Sequence, residues 1–261
     1  MEEIFHRTVK SFVLRSGRIT KLQQHALDNY AKLYTIPYEA GQRLDFAEVF
    51  HNINPTLIEI GFGDGEATYQ MAEGNPGMNY LALEVYPPGV GALLDVIHTR
   101  NLVNVRIVQH DAAEVVENMV ADSSVSGFHI FFPDPWQKKR HNKRRLINST
   151  FVSVLADKLK EGGYIYCATD WEDYAFQMQE VLRGETRLSS PFKGFVEKPD
   201  DIVPWRPETK FERKGIAAGR TIFESYFVKH TNNLKIRFYE ALSNKKEYYP
   251  QIEEMFEESF H

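Results

Sequence analysis

One cysteine, Cys167, stands in 261 residues, which excludes an intrachain disulfide framework and any cysteine-cluster metal site. Its neighbours Tyr164, Ile165, Tyr166 and Ala168 read as a buried strand, so the thiol is expected to be inert core. No run approaches the ~20 consecutive apolar residues needed to cross a bilayer. The Met-Glu-Glu start also lacks a basic region followed by an apolar stretch. These absences lead to the expectation of a cytoplasmic protein with no membrane partner. An excess of positive charge is missing as well: 31 Lys and Arg face 36 Asp and Glu, a net charge of -5. The sum alone argues weakly against a nucleic-acid partner, so the distribution of charge has to decide.

What is present is 43% apolar residues, enough for a sizeable core, arranged as short apolar runs alternating with helical patterns. That alternation predicts βα units around a parallel sheet. Strands are expected at 56–60, 79–84, 103–108, 128–132 and 163–168, with a further one at 220–228. Helices are expected near 21–32, 65–74, 88–99, 112–119, 143–161 and 171–183. Residues 184–219 hold four prolines and little periodicity. The chain divides into a basic N-terminal segment with a helix (1–50), a central domain (51–230) and a C-terminal helical extension (231–261) ending in an acidic patch.

Five motifs fall where such strands would end. Glu59-Ile-Gly61-Phe-Gly63-Asp-Gly65 follows the first strand, where glycines let backbone N–H groups approach a ligand at a helix N-terminus. Its third glycine comes one residue earlier than in the G-x-G-x-x-G dinucleotide fingerprint. Glu84 closes the second strand, a place suited to ribose hydroxyls in either a dinucleotide or an S-adenosylmethionine site. Asp111 closes the third, suited to an adenine amine or, more plainly, to capping the next helix in a box with Glu114. Phe131-Phe-Pro133-Asp134-Pro135-Trp136 follows the fourth, and the two prolines are expected to hold Phe132 and Asp134 extended. Ala168-Thr-Asp170-Trp171 follows the fifth, and Thr209-Lys-Phe-Glu212 ends the irregular stretch. Both are expected to bring carboxylates over the same crevice.

Directly after Asp134 the chain reads Lys138-Lys-Arg140-His141-Asn142-Lys143-Arg144-Arg145. A basic stripe beside a rigid carboxylate directs a polyanion to one face of an acidic protein. Its bland alternative is a solvated helix start.

At these residues the chain resembles the bacterial tRNA (guanine-N7)-methyltransferase family. The resemblance is carried by Ser11 to Thr20, Glu59 to Gly63, Leu83-Glu84-Val with Pro88-Gly-Val-Gly91, and His110-Asp111-Ala. It continues through Phe132 to Trp136 into the basic string, then Ala168 to Glu172, Arg206-Pro and Thr209 to Glu212. It implies a Rossmann-like class I methyltransferase fold, a mainly parallel seven-stranded sheet with helices on both faces. It implies S-adenosylmethionine as donor, S-adenosylhomocysteine as product, no metal, and methylation of guanosine 46 in the tRNA variable loop. By motif, Glu59, Gly61, Gly63, Glu84, Asp111 and Asp134 would meet the donor, and Asp134 would be catalytic. Lys138, Asp170, Thr209, Lys210, Phe211 and Glu212 would meet the substrate, with Arg140, His141, Asn142, Lys143, Arg144 and Arg145 on the RNA. Gln137 stands where the family commonly has histidine, and residues 231–261 run past the family's usual end. Two other classes share the scaffold: a nicotinamide oxidoreductase and a catalytically silent RNA-binding module. No protein partner is evident.

Overall fold

The computed structural model describes residues 11–12, 17–196 and 206–230. The C-terminal extension expected at 231–261 lies outside the described residues. Seven strands form one sheet in the order β3-β2-β1-β4-β5-β7-β6. They are β1 (Thr56–Ile60), β2 (Asn79–Leu83), β3 (Val105–Val108), β4 (Val125–Phe131), β5 (Leu159–Thr169), β6 (Leu188–Ser189) and β7 (Phe223–Lys229). The first five pair in parallel, while β7 runs antiparallel to β5 and β6.

The strands β1 and β2 are buried at every position because helices cover both sides of the sheet. The side-chain alternation of a strand sorts the core into two layers. Ile58, Ile60, Leu81, Leu83, Phe128 and Ile130 pack against α5 (Ala112–Met119), α6 (Ser149–Lys158) and α7 (Glu172–Gly184). Leu57, Tyr80, Ala82 and Phe131 face the other way, onto α1 (Lys21–Tyr34), α3 (Glu66–Gly74) and α4 (Pro87–Thr99). Ala26 of α1 and Phe50 of α2 (Phe46–Phe50) both lie in these layers, so the described part of the N-terminal segment packs onto the central sheet. Cys167 is fully buried and burial pushes its thiol up to about 12, in keeping with an inert core position.

Four elements differ from expectation, the two-residue β6 inside the stretch read as irregular among them. The helix expected at 143–161 is instead a 3-10 helix at Lys139–Arg144, then α6 from Ser149, with β5 beginning at Leu159. Asn148 makes the new start by accepting from Phe151 N at 3.0 Å. A short α2 is capped by Asp45, which accepts from Ala47 N. Within the stretch read as irregular, α8 spans Lys210–Ala217 and begins with a capping box between Thr209 and Glu212. The Thr-x-x-Glu spacing was a visible signal for it.

Strand order reverses between β1 and β4, which are neighbours although α3, β2, α4, β3 and α5 separate them in sequence. Loops leaving two such strands diverge and open a crevice beyond their C-terminal ends. Here those two loops are the glycine loop and the Pro-Asp-Pro turn.

Candidate active site

A cavity of about 390 Å³ fills that crevice. Glu59, Gly61, Gly63, Glu84, Asp111 and Asp134 all line it, joined on the far side by Thr209, Lys210 and Phe211.

The floor is the glycine loop. Gly61, Gly63 and Gly65 have φ of 75°, 64° and 81°, a region that side chains with a Cβ rarely occupy. Gly63 N donates to Glu84 Oε2 at 3.0 Å, so the loop and the end of β2 are tied together. The other oxygen of Glu84 accepts from Val85 N (2.7 Å) and Tyr86 N (3.1 Å). Burial raises the Glu84 pKa, the three backbone N–H groups oppose that, and the nearby Asp134 raises it further. A Cβ at Gly89 in α4 would lie 1.9 Å from Gly63 O, so only glycine lets the helix carry the loop this closely. That is the physical content of the Pro88-Gly-Val-Gly91 motif.

Glu59 is buried at the end of β1 and accepts from Thr68 Oγ1 at 2.6 Å. Burial pushes its carboxyl up to about 7; the Thr68 hydroxyl opposes that and Glu84 adds to it. Asp111 caps α5 by accepting from Ala113 N at 3.1 Å. The capping box expected with Glu114 does not form, because Glu114 pairs with His110 at 2.6 Å. The imidazole of His110, itself in the cavity wall, stacks on Tyr38 with ring centroids 3.7 Å apart.

The Pro-Asp-Pro turn is strained rather than extended. Phe132 has φ 52° and Trp136 φ 47°, values costly for aromatic residues. Phe132 keeps its N–H on Ala168 O at 2.7 Å, so the chain stays paired to β5 while it turns. Between these two residues Asp134 stands exposed at the cavity rim.

The basic string packs around Trp136. The indole donates to Ser11 O at 2.9 Å, the Arg144 guanidinium lies 4.7 Å from its ring centroid, and His141 meets it edge-on. Lys138, Lys139, Arg140 and Lys143 are exposed, while His141, Asn142 and Arg144 are half-buried. Desolvation, and then the neighbouring cations Arg140, Arg144, Lys138 and Lys143, lower the His141 pKa.

Arg145 departs from its expected place on the RNA. It is 2% exposed and donates to Pro135 O (2.8 Å), to Gln177 and to Asp173 (2.6 Å), with its guanidinium 4.8 Å from the Tyr174 ring centroid. Its work is to fasten the Pro-Asp-Pro turn to α7. Arg145→Ala is therefore expected to cost about 2 kcal/mol of stability, since the turn carbonyl loses a charged donor inside the protein. Denaturant unfolding checks this, and an unchanged midpoint would contradict it.

Asp170 and Glu212 also fall outside the cavity lining, contrary to the expectation that both reach the crevice. Asp170 is engaged by Arg220 and sits under Gly215 of α8. Glu212 is 8% exposed, with its carboxylate held by Arg206. No local feature of the sequence gives Arg206 a role of its own. Burial opposes its charge, but Glu212 and Glu224 outweigh that and keep its pKa above the ordinary range. Among the described residues no group of His, Cys, Asp and Glu forms a metal site, and no helix is long and apolar enough to cross a membrane.

A family described as "Putative methyltransferase" matches residues 53–225. The tRNA (guanine-N(7)-)-methyltransferase of Cupriavidus necator is 51% identical over 226 residues, covering 85% of this chain and 84% of that protein. The protein of the same name from Francisella tularensis subsp. novicida is 45% identical over 223 residues, covering 85% and 96%. Among solved structures, the 16S rRNA methyltransferase KamB aligns with TM-score 0.53 at 13% identity, over 76% of this chain and 99% of its own. An antibiotic-related methyltransferase aligns with TM-score 0.51 at 18% identity, over 74% and 99%. These two share the Rossmann-like class I methyltransferase fold. The relatives match across most of the sequence, and the chain belongs to the tRNA (guanine-N(7)-)-methyltransferase family.

Proposed function

We propose that the chain methylates N7 of guanosine 46 in the tRNA variable loop, with S-adenosylmethionine as donor. The observation that carries this reading is one cavity joining the glycine loop, Glu84 and Asp111 to Asp134, with an exposed basic 3-10 helix starting five residues beyond that carboxylate. S-adenosylmethionine supplies an electrophilic methyl group on a sulfonium, which passes to N7 with its positive charge and leaves S-adenosylhomocysteine.

The cavity chemistry fits that donor. Glu84 is fixed by three backbone N–H groups and keeps acceptor capacity for ribose hydroxyls. Asp111 offers an acceptor at the end of β3 for an adenine amine, and Glu59 a carboxyl for an ammonium. Guanine N7 has a lone pair and no proton, so the chain needs no general base there. Its tasks are to hold N7 in line at near-attack distance and to place Asp134 where positive charge develops. Lys138, Lys139, Arg140 and Lys143 would grip phosphates beside the rim, and the base must be displaced from the tRNA fold to reach it. Thr209, Lys210 and Phe211 close the opposite wall as substrate contacts.

Nucleoside mass spectrometry of unmodified tRNA after incubation with protein and donor tests the reading. 7-Methylguanosine at position 46 is expected. Donor binding without any methylation would favour the silent RNA-binding alternative.

Glu59 yields a pH prediction. Its folded pKa, about 7, lies above the ordinary 4.5, so the folded protein binds the extra proton. The stability it contributes is full below about 4.5 and is lost as pH rises to about 7, a change of up to about 3 kcal/mol. Glu59→Gln should flatten that slope in unfolding measurements on the ligand-free protein. If an ammonium meets this carboxylate, donor affinity should rise through the same window in wild type and stay flat in the variant. Identical profiles for the two proteins would remove Glu59 from both roles.

A further inference from the structure

Arg206 lies behind the cavity and is absent from its lining, yet it touches the segments that carry both walls. On one side it donates to Glu212, the third residue of α8, at 2.9 Å through Nη2. On the same side it donates to Glu224 of β7, whose carboxylate also accepts from Tyr166 of β5. On the other side the guanidinium lies 5.5 Å from the ring centroid of Phe131 and 5.9 Å from that of Phe132. Phe132 begins the strained turn to Asp134, while α8 carries Phe211, which packs within 3.5 Å of where a Gly63 Cβ would lie. The side chains of Arg206, Glu212 and Glu224 are 4%, 11% and 6% exposed.

Only one side-chain type fits those contacts. Glu212 and Glu224 are two carboxylates out of water, and each needs a charged donor. A planar fork can serve both at once and still present a flat face to aromatic rings, which an ammonium cannot do. Removing the fork would leave two like charges buried together and release α8 from the strand exit. A second tie holds the outer end of the same helix: Arg213 donates to both oxygens of Glu66 at 3.0 and 2.9 Å, and Lys210 N donates to Glu66 Oε2 at 3.1 Å. Half of that tie is exposed, so the buried fork is the part that sets the wall's position.

We propose that Arg206 is a positioning residue for methyl transfer, fixing the spacing between the α8 wall and the Asp134 turn by gripping Glu212 and Glu224 against Phe131 and Phe132. This rests on the methyl-transfer reading above. It also assigns Glu212 to holding α8 rather than to meeting the RNA.

The test compares wild type with Arg206→Lys, which keeps the charge and loses the fork, and with Glu212→Gln, which can keep the capping box and loses the charge that Arg206 grips. S-adenosylhomocysteine binding by calorimetry needs no turnover and is expected to weaken about tenfold in each variant. In steady state the donor KM should rise and kcat should fall by up to about 10²-fold, as for a misplaced wall. Affinity for tRNA at fixed salt should change far less than donor affinity, because the exposed basic 3-10 helix is untouched. Should Arg206→Lys fail to fold, Glu212→Gln carries the same comparison. A fall in kcat that merely follows the folded fraction, with donor KM and S-adenosylhomocysteine affinity unchanged, would overturn the proposal. So would a loss of tRNA affinity in Glu212→Gln with donor binding intact, which would place Glu212 on the RNA. Wild type that binds S-adenosylhomocysteine yet methylates no tRNA would refute the functional reading alone, and the calorimetric arm would still judge Arg206.

Discussion

Asp134→Ala should lower kcat by about 10²–10³ while leaving the fold in place. The carboxylate is exposed at the cavity rim, so its removal opens no internal void and strands no buried partner. The conformation of the turn does not depend on it either. Pro133 and Pro135 remain, Phe132 N stays on Ala168 O, and Arg145 still holds Pro135 O. What is lost is a negative charge at the place where a purine becomes cationic. Because that charge develops only as the methyl arrives, the loss falls on the transition state and not on substrate binding, so kcat should move more than KM. Asp134→Asn separates charge from shape: if electrostatics dominates, it should be nearly as slow as alanine. Single-turnover methylation of tRNA at saturating donor measures the step directly. A folded Asp134→Ala protein with near-normal turnover would take this residue out of the mechanism.

Binding of tRNA should be strongly salt-dependent, with the 3-10 helix carrying much of the dependence. If about six phosphates are neutralised in all, log affinity should fall with log salt at a slope of roughly -4 to -5. Affinity then drops by about 10³ between 50 and 200 mM. The burial of Arg145 decides which side chains to change. Lys139, Arg140 and Lys143 are exposed on the 3-10 helix, so replacing all three by alanine should flatten the slope by about two to three units. Donor affinity should hold, since none of the three lines the cavity. Arg144 is a poor choice for this experiment because it packs on Trp136, and its loss would disturb the surface as well as the charge. Fluorescence anisotropy with labelled tRNA over a salt series gives both slopes, and parallel lines would mean that the RNA lies on another face.

Much of this was legible before any coordinates. Five parallel strands and the helices α1, α3, α4, α5 and α7 fall within a few residues of where periodicity put them. Each is a regular amphipathic or fully apolar segment, whose pattern repeats within one strand or a few turns. The residues that line the cavity were legible for a related reason. Glu59, the glycines, Glu84, Asp111 and Asp134 all stand at strand ends, and a parallel sheet gathers strand ends along one edge whatever the details of packing.

The surface of the basic string and the irregular stretch read less well. Eight consecutive polar and charged residues look alike in one dimension, yet a 3-10 turn exposes Lys143 and drives Arg145 inward onto Asp173 and Gln177. Asp170 and Glu212 are both expected from the sequence to reach the crevice. Their partners, Arg220 and Arg206, are 50 and 6 residues away in sequence, and nothing local says that the pairs will meet. The sequence by itself determined the sheet, the ligand edge and the family, because strand and helix periods and strand-end motifs are local properties. Which charges face water and which are consumed in holding α8 and the Pro-Asp-Pro turn was decided only in three dimensions. A charged side chain's role depends on the partner that burial brings to it, and that partner is chosen by the packing of the whole domain.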